Sequence, residues 1–261
     1  MVNKEIDHGK EFDWGLASKY YARYRDIYPD LFYQKIIELD LCTKGQRVLD
    51  LGTGTGVLPR NLCRYGASFV GADISENQIA EAKKLSAGMQ IEYVVSSAEK
   101  LDFPKNSFDV ITACQCFLYF DQSVVIPKIH ELLRDNGHFC ILFMAWLPDE
   151  SEIARYSEEL VLQYNPSWTG AHMKRGPLTA PQSTVGYFDV EHAITYDVPV
   201  TFTRESWNGR IKACRGIGAS ALSVDEVAAF ETEHLQYLST IAEPFDILHY
   251  VTVLNLQKRS I

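Results

Sequence analysis

The residues with the clearest chemical meaning lie together at Val48-Leu49-Asp50-Leu51-Gly52-Thr53-Gly54-Thr55-Gly56. A short apolar run ends there in three glycines at alternate positions, where a strand would hand over to a helix. Such a turn suits a ligand that must lie directly against backbone, and the carboxyl end of a central parallel strand is where open α/β sheets bind ligands. A tight strand-to-helix turn with no ligand is the plainer alternative. The spacing discriminates among ligands. A dinucleotide turn needs G-x-G-x-x-G, which lets a pyrophosphate sit on a helix N-terminus. Counted from Gly52 and Gly54 the third glycine falls on Val57, and counted from Gly54 and Gly56 it falls on Pro59. Asp50 stands just before the turn, where it gains nothing from a pyrophosphate but would attract a ligand carrying an ammonium and a sulfonium. A second acid, Asp73, closes Val70-Gly71-Ala72-Asp73, 17 residues past Gly56, close to the span of one βαβ unit. A carboxylate there can accept from both ribose hydroxyls of an adenosine. It can also cap a helix, but Ser75 is better placed for that, with Gln78 at the capping-box position, which frees Asp73 for the ligand.

Other chemistry-bearing residues are sparser. Base candidates are thin: His172 lies in a loose segment that could form a lid but reads first as a solvated loop residue, while His249, in the last strand, reads as structural. His130 and His138 flank the fifth strand far from its carboxyl end. Cys114 and Cys116 share a strand face, but two thiols without a third ligand read as core, so no metal is expected. Asn165-Pro166-Ser167-Trp168 follows the fifth strand and reads as loop. Arg215-Gly216-Ile217-Gly218 reads as an interhelical turn ahead of a phosphate site.

The elements that must position the turn alternate along the first half of the chain. Helical stretches are expected over Ala17 to Arg25 and Leu31 to Leu39, and strands over Arg47 to Leu51, Ser68 to Ala72, Ile91 to Val95, Asp109 to Ala113 and His138 to Met144. Helices with Leu58, Leu62 and Tyr65, and with Ile129, Leu132 and Leu133, separate them. This order implies right-handed βαβ units and a doubly wound sheet. Beyond Trp146 the pattern loosens. A helix over Ser151 to Gln163 precedes the stretch 164–186, rich in Pro, Gly, Ser and Thr, which reads as a lid or inserted cap. Phe188 to Phe202 has strand character, Trp207 to Cys214 and Val224 to Leu238 helical character, and Phe245 to Leu256 alternates as a strand.

Composition bounds the partners. The 261 residues are 46% hydrophobic and 23% charged, an ordinary globular mixture. Lys and Arg number 25 against 34 Asp and Glu, a net charge of -9, opposite to the balance of a non-specific nucleic-acid binder. Met1 to Asp13 lacks the apolar region of a signal peptide, and the apolar run Phe139 to Leu147 is far short of the roughly 20 residues a membrane span takes. Six cysteines without a CxxC pair point to a reducing cytoplasm. The oligomeric state is not legible.

VLDLGTGTG, GADIS, SSAEKLDFPKNSFDVI and the ELLRDNGHF turn, in that order, resemble the class I S-adenosylmethionine-dependent methyltransferases over residues 12 to 145. Within these the chain is similar to the group holding the ubiquinone/menaquinone-biosynthesis and trans-aconitate type enzymes. The resemblance implies a Rossmann-like, doubly wound seven-stranded α/β sheet with the last strand antiparallel and a cap or lid inserted after the fifth strand. It divides the chain into N-terminal helices closing over the cofactor (1–45), a binding core (46–145), a cap and substrate region including one strand (146–220), and a last helix and strand (221–261). The implied cofactor is S-adenosylmethionine, leaving S-adenosylhomocysteine after transfer to a small-molecule acceptor. Neither nucleic acid nor membrane is expected. By the same resemblance Gly52, Thr53 and Gly54 would hold the methionine portion through backbone groups, with Asp50 ordering the turn. Asp73 would bind the ribose and Ile74 pack on the adenine. Ser97, Ala98 and Glu99 would border the adenine edge, although the family commonly carries Asp where Ser97 stands. Gln115 would sit near the sulfonium, with Cys116, Phe117, Tyr119 and Trp146 around the methyl group. Tyr119 and His172 are the candidates for a catalytic role, although related sequences often carry His-Trp where this chain has Leu118-Tyr119. Tyr21 and Arg25 would meet the cofactor carboxylate, or else belong to a surface helix with an aromatic core face. A non-catalytic cofactor-binding regulatory module is the alternative function; a nicotinamide oxidoreductase is opposed by Val57 and Pro59.

Overall fold

The structure is a computed structural model that describes residues 5–260. Residues 1–4 of the expected closing segment, and the last residue of the final one, lie outside the described residues. The elements in chain order are α1 (Ser18–Tyr24), α2 (Asp30–Glu38), β1 (Arg47–Leu51), α3 (Val57–Leu62), β2 (Ser68–Asp73), α4 (Glu76–Leu85), β3 (Ile91–Val95), β4 (Phe108–Cys114), α5 (Gln122–Leu132), β5 (Leu133–Trp146), α6 (Glu152–Tyr164), β6 (Phe188–Phe202), α7 (Arg204–Lys212), α8 (Val224–Leu238) and β7 (Phe245–Lys258). The seven strands form one sheet in the order β3-β2-β1-β4-β5-β7-β6. Strands β3, β2, β1, β4 and β5 pair in parallel, and the last strand runs antiparallel, the Rossmann-like arrangement that the motif order implies. The strand order reverses at β1, so the turn after β1 opens at the switch point.

The local chemistry explains the boundaries. β1 is buried along nearly its whole length because helices cover both faces of a parallel sheet, and its near-continuous apolar run reflects that. Ser75 caps α4 by accepting from the Gln78 amide. Ser151 does the same for α6 through Ala154, and α7 and α8 open on reciprocal capping boxes, Thr203 with Ser206 and Ser223 with Glu226. Leu133 is the first residue of β5 instead of the end of the preceding helix. Its backbone is extended, and the polypeptide turns through Asn136 at φ 62°.

The chain divides into two compact units. The first holds the chain up to Ile27 with Ala145–Gly176 and Asp197–Tyr250. In it α1 packs on α7, α7 on α8, and α6 on α8, around Trp146, Trp207, Phe202 and Phe230. The second holds Tyr28–Met144, Pro177–Tyr196 and the chain from Val251 onward. Its core gathers Leu49, Leu51, Val70, Ile111, Phe139 and Leu254, with Val125, Ile126 and Ile129 of α5. No helix among the described residues is long and apolar enough to cross a membrane.

Candidate functional site

In the second unit, β1 delivers Asp50 and the glycine turn to the carboxyl edge of the sheet. Gly52 and Gly56 take φ of 58° and 73°, a left-handed conformation that a β-carbon disfavours. Space is as restrictive as conformation. A β-carbon on Gly52 would stand 2.8 Å from both Cβ and Sγ of Cys116, whose thiol gives its hydrogen to the Leu51 carbonyl at 3.0 Å. Cys116 thus supports the turn from the β4 side, and burial pushes its thiol well above the usual range, which makes it a packing group.

The turn's amides identify the sign of the ligand it suits. Thr53 N–H donates to the Ala72 carbonyl at 2.9 Å, and Gly56 N–H to the Thr53 carbonyl at 2.9 Å. Gly54 N–H donates to Asp73 Oδ2 at 2.8 Å. These donors are turned toward the protein's own acceptors, whereas a pyrophosphate site points its amides at the anion. Two carboxylates accompany them. Asp50 is 2% exposed and accepts from the Thr112 hydroxyl at 2.7 Å. Burial raises its pKa to about 6, against the opposing hydroxyls of Thr53 and Thr112, and the neighbouring Asp73 adds to the rise. Asp73 is also raised by burial, opposed by the amides of Ser75, Gly54 and Ile74. A site that holds carboxylates against their own ionisation is stabilised by a cation.

Asp73 carries more duties than its position at a strand tip suggests. Besides Gly54 it accepts from Ser75 N–H at 2.8 Å through Oδ1, so Ser75 caps α4 without releasing the aspartate. The carboxylate offers about four acceptor sites, so these amides do not exhaust it. Ile74 follows it and is 72% exposed, an apolar surface beside the carboxylate. On the far side Ser96 N–H bonds the Asp73 carbonyl at 2.9 Å, joining the end of β3 to β2. Ser97 starts the short 3-10 turn Ala98–Lys100 and makes no capping bond with its side chain. Ala98 is buried in the core, and Glu99 Oε1 accepts from Asp121 N–H at 3.0 Å, at the start of α5. The site therefore gathers Asp50, Gly52, Thr53, Gly54, Asp73, Ile74, Ser97, Ala98 and Glu99 within one unit.

Past β4, Gln115 takes φ 65° and donates through Nε2 to the Met144 carbonyl at 2.5 Å. Its amide ties the ends of β4 and β5 together. Phe117 packs edge-on against Phe120 and Phe139 as core, and Tyr119 closes the 3-10 turn Phe117–Tyr119 with its N–H on the Cys116 carbonyl at 2.9 Å.

The remaining expected residues belong to the first unit. Tyr21 packs edge-on against Trp14, and the Arg25 guanidinium lies 4.8 Å from the Tyr21 ring centre. His172 sits at φ 63° with an exposed side chain, and its N–H donates to the buried Glu158 at 2.8 Å. Trp146 is buried, not at a cleft wall; its Nε1–H donates to Glu158 at 2.6 Å. His249 is buried on the Ile247 carbonyl and held down to about 4 by burial. Arg215 is buried on Asp7, and Thr169 bonds both, so the Arg-Gly-Ile-Gly turn is packed interior. Asn165 donates to the Gly216 carbonyl at 3.0 Å. A cleft of about 470 Å³ in this unit is lined by Tyr20, Tyr24, Arg204, Lys212, Glu205 and Glu231 among others. Its charges are matched within the unit, Lys212 with Glu231 at 2.6 Å and Glu205 with Arg23 at 2.6 Å.

A residue that sequence patterning passed over is Tyr93, in β3, whose ring lies against Gly56 and Gly71. Nothing in the apolar and polar alternation of β3 marks it. The signal lay in Gly71, a glycine inside a strand, which often marks close approach of another group.

Comparison with known proteins finds similar sequences for the segment that builds the site. The methyltransferase domain family matches residues 49–141. A Dictyostelium discoideum protein bearing a methyltransferase name is 34% identical over 128 residues, 49% of this chain and 47% of that one. The ubiquinone biosynthesis O-methyltransferase of Bradyrhizobium diazoefficiens is 28% identical over 165 residues, 62% of this chain and 64% of that one. The chain thus spans about half to two thirds of the length of the curated relatives it matches. In fold it is similar to the YcgJ protein of Bacillus subtilis, with a TM-score of 0.57 at 20% identity, over 89% of this chain and 100% of that one. The matched segment, residues 49–141, holds the glycine turn and its two acids, so it is this part of the chain that is similar to the methyltransferase domain family.

Proposed function

We propose that this chain binds S-adenosylmethionine at the glycine turn and transfers its methyl group to a small-molecule acceptor, releasing S-adenosylhomocysteine. The observation that carries the reading is a turn whose Thr53, Gly54 and Gly56 amides face the protein's own acceptors while Asp50 and Asp73 stand beside it. That arrangement favours a cationic adenosyl amino acid over a diphosphate. Asp73 would accept from the ribose hydroxyls with the lone pairs its amide partners leave, and Ile74 would pack on the adenine beside Ser97, Ala98 and Glu99. Gly52, Thr53 and Gly54 would hold the amino-acid end through backbone groups, with Asp50 balancing its ammonium.

When bound, the cofactor supplies a methyl group on a positively charged sulfur, open to in-line attack. The protein's own contribution is orientation and exclusion of water, which can lower a barrier by roughly 7 to 11 kcal/mol. No strict set of catalytic side chains is needed for that. Gln115, by tying β4 to β5, would fix the floor on which an acceptor rests, and Tyr119 is our candidate for contact with it. A small acceptor agrees with the ubiquinone biosynthesis relatives and with the acidic balance of the chain. The six free cysteines suit a reducing, cytoplasmic setting.

Titration calorimetry with S-adenosylhomocysteine tests the reading directly. Saturable binding at one site per chain is expected, followed by release of S-adenosylhomocysteine from S-adenosylmethionine when small hydroxyl, amine or thiol acceptors are offered. Binding of a nicotinamide dinucleotide in place of either adenosyl compound would overturn it.

A further inference from the structure

The register of the sheet places four residues in one transverse row. Thr112 of β4 pairs with Asp50 of β1, Asp50 with Gly71 of β2, and Gly71 with Tyr93 of β3. Partners across parallel strands present their side chains to the same face, so Asp50 and Tyr93 flank a position that has no side chain. A β-carbon at Gly71 would stand 2.9 Å from the Tyr93 ring and 2.9 Å from Thr53 Oγ1. The missing side chain is the space through which the ring reaches the glycine turn. Its far end meets Gly56, where an added β-carbon would overlap the Tyr93 hydroxyl. Gly56 is the N-cap of α3 and accepts the first helical bond, from Arg60 N–H at 3.0 Å.

We infer that Tyr93 is a positioning residue for the cofactor: its ring, fitted between Gly71 and Gly56, fixes the turn Gly52–Gly56 from the β3 side as Cys116 does from the β4 side. The inference rests on the adenosyl reading of that turn. The ring is the working part. The hydroxyl is buried outside hydrogen-bond geometry with any described residue. Ser86, near enough to influence its proton, gives its own hydrogen to the Ala82 carbonyl at 2.6 Å. Phenylalanine therefore preserves the function, whereas a side chain without the ring leaves Gly56 and Gly71 without their packing partner. The turn then samples other conformations, and a ligand must select the competent one, which lowers its apparent affinity by the fraction lost.

The test compares Tyr93→Phe with Tyr93→Leu by calorimetry with S-adenosylhomocysteine at a temperature where circular dichroism shows every variant fully folded. Tyr93→Leu is expected to weaken binding about tenfold and Tyr93→Phe to stay within about twofold of wild type. A residue that served stability alone would lower the unfolding temperature in Tyr93→Leu without moving this affinity, and that result would overturn the inference. A second arm uses thermal melts. Gly56→Ala should be less destabilising beside Tyr93→Phe than alone, because the overlapping oxygen is gone, and equal penalties in both backgrounds would count against the packing. If wild type itself failed to bind S-adenosylhomocysteine, the adenosyl reading would fall and this inference with it. Normal wild-type binding with an unaffected Tyr93→Leu would remove the inference alone.

Discussion

In the first unit Ser157, His234 and Asn208 form an unbroken buried chain, with Ser157 Oγ 2.9 Å from His234 Nε2 and His234 Nδ1 2.9 Å from Asn208 Oδ1. Trp207 Nε1–H donates to Ser157 at 2.9 Å, and Asn208 passes to Glu231 at 3.2 Å, which holds Lys212. In the second unit Asp50 meets hydroxyl donors and Asp73 backbone amides, with no cationic partner for either carboxylate among the described residues. The two regions are both polar and differ in what partners their groups meet. A buried network whose members satisfy one another rigidifies a core. Carboxylates held close enough for one to raise the other's pKa, at the carboxyl end of a parallel strand, favour an incoming cation. A Ser-His-Asn sequence of contacts is thus structural in one unit, while two plain aspartates form the candidate site in the other.

The contrast extends to pH, with opposite signs. Burial holds His234 and His249 down to about 4 from 6.5. Between those values the unfolded chain binds protons that the folded one refuses, so their contribution is full above about 6.5 and is lost as pH falls toward 4. Asp50, raised from 3.8 to about 6, binds its proton more readily when folded. Its contribution is present below about 3.8 and is lost as pH rises through 6. Mild acid weakens the first unit while relieving the second.

The comparison can be broken most directly in the first unit. His234→Ala removes a ring and strands two buried polar partners, which should lower stability by about 3 kcal/mol in urea unfolding. Calorimetric affinity for S-adenosylhomocysteine should not move while the protein is folded; a matching loss of affinity would show that the two regions are not separable. Asp73→Ala should do the reverse in character. Removing the proposed ribose acceptor, which is also the anchor of Gly54, should weaken binding at least tenfold, about 1.4 kcal/mol or more, and unchanged binding would remove the assignment. A pH series sharpens the point further. Protonating Asp50 removes an attraction for the cofactor's ammonium, so affinity should fall by about tenfold between pH 7 and pH 5, with a much shallower profile in Asp50→Asn. A wild-type profile level across that range would mean that Asp50 does not face the cation.

Much of this was legible in the sequence because it is written locally. The glycine spacing, the acid before it, the acid closing β2, and the strand limits at Arg47–Leu51, Ile91–Val95 and Phe188–Phe202 each depend on residues a few positions apart. What escaped depends on register between strands. Nothing within β3 says that Tyr93 stands opposite Gly71, or that Gly71 in turn stands beside Asp50. Trp146 follows the same pattern: an aromatic at the end of β5 reads as a cleft wall until Glu158, 12 residues later, is found accepting its indole hydrogen. Gln115 reads as a polar group near reacting atoms, and only the fold reveals that its amide bridges two strand ends.

The double grip of Asp73 on Gly54 and Ser75 has a thermodynamic corollary. One carboxylate fastens the loop following β1 to the loop following β2 before any guest is present. The ordering entropy of those two loops therefore belongs to folding and not to association. Capture should then proceed with little backbone rearrangement, and the heat capacity change on association should reflect the apolar contact made at Ile74 more than any folding of loops.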